Sequence, residues 1–190
     1  MDSKTIASIS VFAAFTVALN LSPVKIPAPY APFLIYQIWE IPILAAFLLY
    51  GPGVGVAISI VNTIVLLGVF PGALPTGPLY NLAAVLSMLI GVYIVQKFTT
   101  ISFRRQHEAI LFASSTALGI VGRVGLMTIV NWTCLPYPPP VGFSMPVEAI
   151  VPLLPVIGVF NATLALYTIP LGYIIAKAVS SGAKIAGWYS

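Results

Sequence analysis

Residues 53–70 read GVGVAISIVNTIVLLGVF, a predominantly apolar stretch of eighteen residues without a charged side chain. A run of this length can cross the hydrocarbon core of a bilayer as an α-helix. Its apolar residues are continuous and do not alternate with polar ones, which argues against a strand of a transmembrane β-barrel. The stretch therefore predicts a membrane-spanning helix.

The rest of the chain has the same character. Of the 190 residues, 59% are hydrophobic and 6% are charged, whereas soluble domains carry roughly 25% charged residues. This composition excludes a soluble globular domain, and so much apolar surface also excludes intrinsic disorder. We predict an all-α membrane protein with one domain, residues 1–190, built from six transmembrane helices of roughly 20 residues each. The predicted bounds are 5–22, 36–50, 53–70, 78–97, 108–132 and 150–177.

Lysine and arginine predict the orientation of these helices, because the cytoplasmic loops of membrane proteins are enriched in them. With the N-terminus inside, only Lys25 falls outside, and Arg123 lies within the fifth helix. Six basic residues then lie inside, namely Lys4, Lys97, Arg104, Arg105, Lys177 and Lys184. We therefore predict two cytoplasmic termini. The basic residues act as topological signals beside anionic lipid, and no nucleic-acid partner is expected.

Groups that could support catalysis are scarce. The acidic residues are Asp2, Glu40, Glu108 and Glu148, and His107 is the only histidine. A zinc site needs three or four such ligands together, and these residues are distributed over both sides of the membrane. The sequence contains no G-x-x-x-x-G-K-[ST] loop for ATP hydrolysis. We therefore expect a protein that is not an enzyme and that has no metal site and no cofactor.

The strongly polar residues of the spans lie in the outer half of the membrane or near its midplane. They are Glu40, Asn62, Asn81, Arg123, Asn131 and Asn161. Polar groups in hydrocarbon cost free energy unless they face a cavity or each other. We therefore predict one polar pocket that opens to the outside and is closed from the cytoplasm by apolar packing. Two roles stay open for the asparagines, which either join helices or bind a ligand. Two roles also stay open for Arg123, which either forms a structural ion pair with Glu40 or anchors a ligand.

The first helix carries a stripe of small residues. Ser10, Ala14 and Ala18 recur at intervals of four residues and therefore share one helix face. Small residues let helices approach closely. The stripe fits packing inside the bundle, or a face on which another membrane subunit docks.

Several motifs occur in the order found in a known family. They are residues 39–47 (WEIPILAAF) with 51–56 (GPGVGV), 77–82 (GPLYNL), 127–132 (MTIVNW) with 135–137 (LPY), and 154–155 (LP) with 160–161 (FN). In this order they resemble the substrate-binding S components of energy-coupling factor (ECF) transporters, most closely the riboflavin-specific members. The spacing of Ala14 and Ala18 is similar to the motif by which these proteins dock on their coupling subunit.

The resemblance implies a six-helix protein that binds riboflavin, or a similar planar vitamin, from outside. Translocation would require a transmembrane coupling subunit and two ATPases in the cell membrane. It implies that Asn81, Asn131 and Asn161 are polar contacts of the vitamin, with Glu40 and Arg123 also in the site. Aromatic surface would come from Trp132 and Tyr137. The two proline-rich outer loops, residues 22–36 and 134–148, would be stiff and extended and would form a lid.

Three positions depart from the riboflavin pattern. Leu164 stands where the family commonly has lysine, Glu40 replaces an aspartate, and Pro78 replaces an acidic residue. Because of these departures, the ligand contacts could differ from those of the riboflavin-specific members, and the ligand could be another vitamin or a precursor. Two other functions stay open from the residues alone. One is a non-transporting membrane scaffold or assembly subunit, and the other is a small-solute channel, which would need polar residues through both halves of the membrane.

Overall fold

The computed structural model describes residues 3–69, 74–99 and 107–183, which form six α-helices and a two-stranded sheet. The helices are α1 (Ser3–Leu21), α2 (Glu40–Tyr50), α3 (Pro52–Val69), α4 (Gly77–Phe98), α5 (Glu108–Cys134) and α6 (Val147–Ala183). The strands are β1 (Ile26–Ala28) and β2 (Ala31–Tyr36). Each predicted helix is present with shifted bounds, and the chain is mainly helical as predicted.

Four of the helices, α3 to α6, are long and apolar enough to cross a membrane. They point to a membrane protein. The apolar segments Thr5–Leu21 of α1 and Glu40–Tyr50 of α2 are shorter. At 1.5 Å per residue, α2 spans roughly 16 Å, about half of the hydrocarbon layer. The count of six crossings therefore stays a prediction, as do the cytoplasmic termini.

The basic residues behind the predicted orientation are described only in part. The side chain of Lys4 lies outside the described residues. The same holds for the whole of Arg104, Arg105 and Lys184. Lys97 occupies the last turn of α4. The Nζ atom of Lys177, near the end of α6, lies 2.7 Å from Glu108 Oε1 at the start of α5. This pair places the end of α6 beside the start of α5.

The segment between α1 and α2 differs from the prediction. Residues 31–36 form a strand where the prediction had an extended loop, and the second helix begins at Glu40 rather than at residue 36. The strands pair antiparallel from Ile26 opposite Tyr36 to Ala28 opposite Ala31. A two-stranded hairpin has only edge strands, and edge strands tolerate proline. The prolines of this segment therefore did not prevent pairing, and the loop is a β-hairpin.

Helix α2 lies at the centre of the bundle. Every residue from Glu40 to Leu49 is buried, and the helix packs mainly against α6 and α3. Large side chains of α2, α4 and α6, among them Phe47, Met88 and Ile169, form one apolar core. An apolar helix surrounded by other helices needs no polar face. The short central helix thus carries Glu40, its first residue, into the interior.

Close contacts at glycine fix how neighbouring helices meet. A Cβ atom at Gly91 of α4 would collide with the carbonyl oxygen of Leu118 in α5. On α5, a Cβ atom at Gly122 would lie 2.7 Å from the carbonyl oxygen of Ser87 in α4. Small residues at such positions let two backbones approach, as in other membrane helix pairs. The α4–α5 pair is therefore closely packed, and it forms one wall of the cavity described next.

Candidate ligand-binding site

A cavity of about 730 Å³ opens at the end of the bundle where α2 and α4 begin and α5 ends. Its walls come from β2, the starts of α2 and α4, the last turns of α5, the following loop and α6. It is lined by Phe33, Leu34, Ile35, Gln37, Trp39, Glu40, Tyr80, Asn81, Ala84, Arg123, Met127, Asn131, Leu135, Phe143, Met145, Ala149, Leu153, Ile157, Phe160, Asn161 and Leu164. The volume and the apolar lining with a few polar groups are typical of small-molecule sites.

An ion pair forms part of the cavity lining. Arg123 Nη2 donates to Glu40 Oε1 at 2.9 Å, and Arg123 Nη1 donates to Glu40 Oε2. The two side chains are 3% and 4% exposed. A bidentate pair of this kind satisfies both charges in a setting where either charge alone would be costly. The ion pair between the two residues is therefore present, as one of the two interpretations predicted.

Asn161 completes this polar cluster. Its Oδ1 atom accepts a hydrogen bond of 3.0 Å from Arg123 Nε, and its Nδ2 atom donates to the carbonyl oxygen of Ile157 at 2.9 Å. The amide group therefore already has one partner for its oxygen and one for its nitrogen. Asn161 lines the cavity, but its present contacts are those of a residue that holds Arg123 in place.

Asn131 and Asn81 retain more bonding capacity than Asn161. Asn131 Nδ2 donates to the carbonyl oxygen of Met127 at 2.7 Å. Among the described residues, no donor reaches Asn131 Oδ1, although the residue is buried and lines the cavity. Asn81 is exposed at the mouth, and its side chain has no hydrogen bond within the described part of the chain. These two amides can therefore donate to and accept from a ligand.

The aromatic surface of the cavity differs from the predicted one. Trp132 and Tyr137 are 45% and 60% exposed and line a separate pocket of about 320 Å³. Consecutive helical residues are about 100° apart, so Trp132 points away from the cavity that its neighbour Asn131 faces. The aromatic residues that do line the cavity are Phe33, Trp39, Tyr80, Phe143 and Phe160. None of these five residues was among the site residues predicted from the sequence.

The loop after α5 closes one side of the cavity. The backbone N–H groups of Phe143 and Met145 donate to the carbonyl oxygen of Leu135 at 3.2 and 3.1 Å. The Tyr80 hydroxyl donates to the carbonyl oxygen of Val141 at 2.7 Å, which ties the loop to α4. A Cβ atom at Gly142 would collide with backbone carbonyl oxygens of the same loop. The loop is therefore compact and held by hydrogen bonds within its own backbone. The prediction of a stiff, extended segment is wrong for this loop.

The hairpin closes the opposite side. The ring of Tyr36 in β2 lies 5.0 Å from the ring of Phe160 in α6, measured between centroids. The Tyr167 hydroxyl of α6 donates to the backbone carbonyl oxygen of Gln37 at 2.5 Å. These contacts attach the hairpin to α6 and bring Phe33 and Ile35 to the cavity. The hairpin and the compact loop together occupy the position of the predicted lid.

Asn62 does not belong to the cavity lining. Its Oδ1 atom lies 3.4 Å from Nδ2 of Asn20, so the two amides connect α3 to α1. Both side chains are buried. This asparagine therefore joins helices, which is one of the two roles that the sequence left open.

The small-residue stripe of α1 faces away from the bundle. Ser10, Ala14 and Ala18 are all exposed, whereas Ala13 and Thr16 on another face are buried. The interpretation of the stripe as internal packing is therefore wrong. The stripe remains available to lipid or to another membrane subunit.

The described residues contain no group of three or more His, Cys, Asp or Glu side chains that could hold a metal ion. Glu108 and Glu148 lie at the first turns of α5 and α6, and neither lines the cavity that Glu40 lines. The cavity therefore offers amides, one paired acid and one paired base to a ligand. These groups can bind and orient an organic molecule.

Comparison with known proteins identifies the fold. No protein-family model matches the sequence, and no curated protein matches it. The structure is similar to a solved structure of the S component of a bacterial ECF transporter, with a TM-score of 0.74. The match covers 97% of this chain and 99% of that protein, at 20% sequence identity. The chain therefore shares the fold of that protein over its whole length.

Proposed function

We propose that this chain is the substrate-binding S component of an ECF transporter, located in the cell membrane as a multi-pass protein. It binds riboflavin, or a similar planar vitamin, from outside and takes part in its translocation. The shared fold with a known S component supports this assignment. The ordered motifs in the sequence support it independently, because they resemble the same family.

The observation that carries the proposal is the cavity itself. A scaffold whose polar residues only join helices needs no cavity of about 730 Å³ at one end. The cavity presents aromatic walls, which suit a flat ring system, and the amides of Asn81 and Asn131. An amide can donate and accept at once, so it matches the alternating donors and acceptors at the edge of a flavin ring. These features favour a planar, uncharged heterocycle as the ligand.

Partners are part of the proposal. The sequence contains no nucleotide-binding loop of the G-x-x-x-x-G-K-[ST] type, so the energy for accumulation would come from two ATPases acting through a transmembrane coupling subunit. The exposed stripe of Ser10, Ala14 and Ala18 is a face on which that subunit could approach α1 closely. The docking face and the vitamin cavity involve different elements, so binding and transport should be separable by mutation.

Uptake into proteoliposomes tests this division of labour. Vesicles containing the chain together with a coupling subunit and its two ATPases should accumulate radiolabelled riboflavin when ATP is present. Vesicles containing the chain alone should bind riboflavin and should not concentrate it. Accumulation against a gradient by the chain alone would contradict the proposed role as an S component.

A further inference from the structure

The side chain of Gln37 stands out among the residues that line the cavity. Its Oε1 atom is buried and has no hydrogen-bond partner in the part of the chain that the structure describes. Buried carbonyl oxygens in folded proteins are nearly always paired, with protein, water or ligand. An unpaired one at the edge of a binding cavity therefore needs an explanation.

Gln37 is held at a fixed position while its amide stays unpaired. It follows the last residue of β2 and precedes α2 by three residues. Its backbone carbonyl accepts the hydrogen bond from the Tyr167 hydroxyl. Gln37 lines both the main cavity and a smaller pocket of about 230 Å³ beside Tyr167. The terminal amide torsion of glutamine is broad, so the group can turn toward the main cavity without moving the backbone.

The neighbouring polar groups are already committed elsewhere. Glu40 and Arg123 bind each other, and Asn161 binds Arg123 and a backbone carbonyl. Among the described residues that line the cavity, Glu40 and Arg123 are the only charged ones, so this lining offers no unpaired charge. A charged ligand group buried here would have no counter-charge, and separating the existing pair would leave a buried charge unpaired. An uncharged hydrogen-bond donor can pair with the Gln37 side-chain carbonyl without burying an unpaired charge and without separating Glu40 from Arg123.

We infer that Gln37 is a ligand-binding and specificity-determining residue, whose side-chain carbonyl accepts a hydrogen bond from an uncharged N–H or O–H group of the ligand. This inference rests on the proposed function, because it concerns the ligand of the same cavity. The contact links the ligand to the segment between the hairpin and α2.

Flavin analogues with single groups removed test the contact. Riboflavin has a ring N–H at position 3 and hydroxyls on its ribityl chain; 3-methylriboflavin lacks the former and lumiflavin lacks the latter. Each is titrated against the purified wild-type protein, Gln37→Met and Gln37→Leu, with melting curves to establish folding. Asn62→Leu is the matched control, since it removes a buried amide outside the cavity.

Gln37→Met should weaken riboflavin binding by about 5- to 150-fold, the effect of leaving one buried ligand group unpaired. For the analogue that lacks the contacting donor, wild type and variant should bind equally. Asn62→Leu should bind riboflavin like the wild type. Melting temperatures of the two Gln37 variants without ligand should equal or exceed that of the wild type, because an unpaired buried carbonyl has been removed.

Unchanged riboflavin affinity in the folded Gln37 variants would overturn this inference and leave the proposed function intact. An equal loss for all three flavins would also overturn it, because no specific donor would be involved. A wild-type protein that binds none of the three would overturn both the proposed ligand and the role of Gln37.

Discussion

Arg123 of α5 places its Nη2 atom 2.9 Å from Oε1 of Glu40, the first residue of α2. The pair joins the two helices in the lining of the cavity. It also puts a carboxylate at the N-terminus of α2, where the helix dipole stabilises negative charge. This single contact therefore orients the central helix and gives the site a polar but neutral surface.

The first prediction concerns the energy of this pair. Arg123→Leu should lower the free energy of unfolding by about 3–5 kcal/mol, because the buried Glu40 carboxylate loses its partner. The double variant Glu40→Leu with Arg123→Leu should recover much of that loss. Lys177→Ala is the matched control, since its ion pair with Glu108 is exposed and should contribute about 0–1 kcal/mol. Denaturant titration of the wild type and the three variants in detergent micelles measures these differences. Equal effects of the Arg123 and Lys177 variants would contradict the role given to the buried pair.

The second prediction separates two asparagines that look equivalent in the sequence. Asn131→Ala should weaken riboflavin binding by about 5- to 150-fold with little change in the melting temperature, because its side-chain oxygen is available to the ligand. Asn161→Ala should lower the melting temperature more, because Arg123 loses a hydrogen bond. Titration of each variant beside its melting curve tests this. Unchanged affinity in Asn131→Ala would remove that residue from the site.

The third prediction concerns the exposed stripe of α1. Ala14→Leu and Ala18→Leu should reduce vitamin uptake by the assembled transporter and leave binding by the isolated chain nearly unchanged, because added volume blocks close helix approach. Ala13→Leu is the control on the buried face and should instead lower stability by about 1–3 kcal/mol through overpacking. If the stripe variants lose binding and uptake equally, the stripe does not act as a separate docking face.

The fourth prediction tests the wall formed by α4 and α5. Gly91→Ala should destabilise the protein, because its Cβ atom would meet the backbone of Leu118 and push the helices apart. Gly125→Ala on α5 has open space and should stabilise the helix by about 0.5–1 kcal/mol. Thermal unfolding of the two variants should therefore shift in opposite directions. A shift of the same sign and size in both would show that the close approach is not required.

Much of this fold follows from the positions of apolar runs and charges. The predicted bounds 36–50 and 53–70 placed one helix on each side of Gly51, and the structure gives α2 and α3. The pairing of Arg123 with Glu40 could be anticipated because a buried guanidinium needs a partner and one intramembrane acid was available. The hairpin could not be anticipated, because a proline-rich segment is typical of an extended loop. Its pairing into β1 and β2 is evident only in the structure.

The site was predicted less completely than the fold. Asn131 and Trp132 are adjacent in sequence, but a helix turns about 100° between them, and only Asn131 faces the cavity. Phe33 and Gln37 were missed because they enter the site through the hairpin, whose path the sequence did not reveal. The one available indication of a site residue in this segment was Gln37 itself. It is the polar amide in an otherwise largely apolar stretch, residues 31–39, that ends just before Glu40.

The proposed function requires this cavity to bind riboflavin or a similar planar vitamin. The most direct measurement is a fluorescence titration of the purified, delipidated protein with riboflavin, together with an absorption spectrum of the protein as isolated. We expect saturable quenching with one riboflavin per chain, and a yellow flavin band in protein purified from cells grown with the vitamin. A folded protein that shows no flavin band and no saturable quenching would contradict the claim.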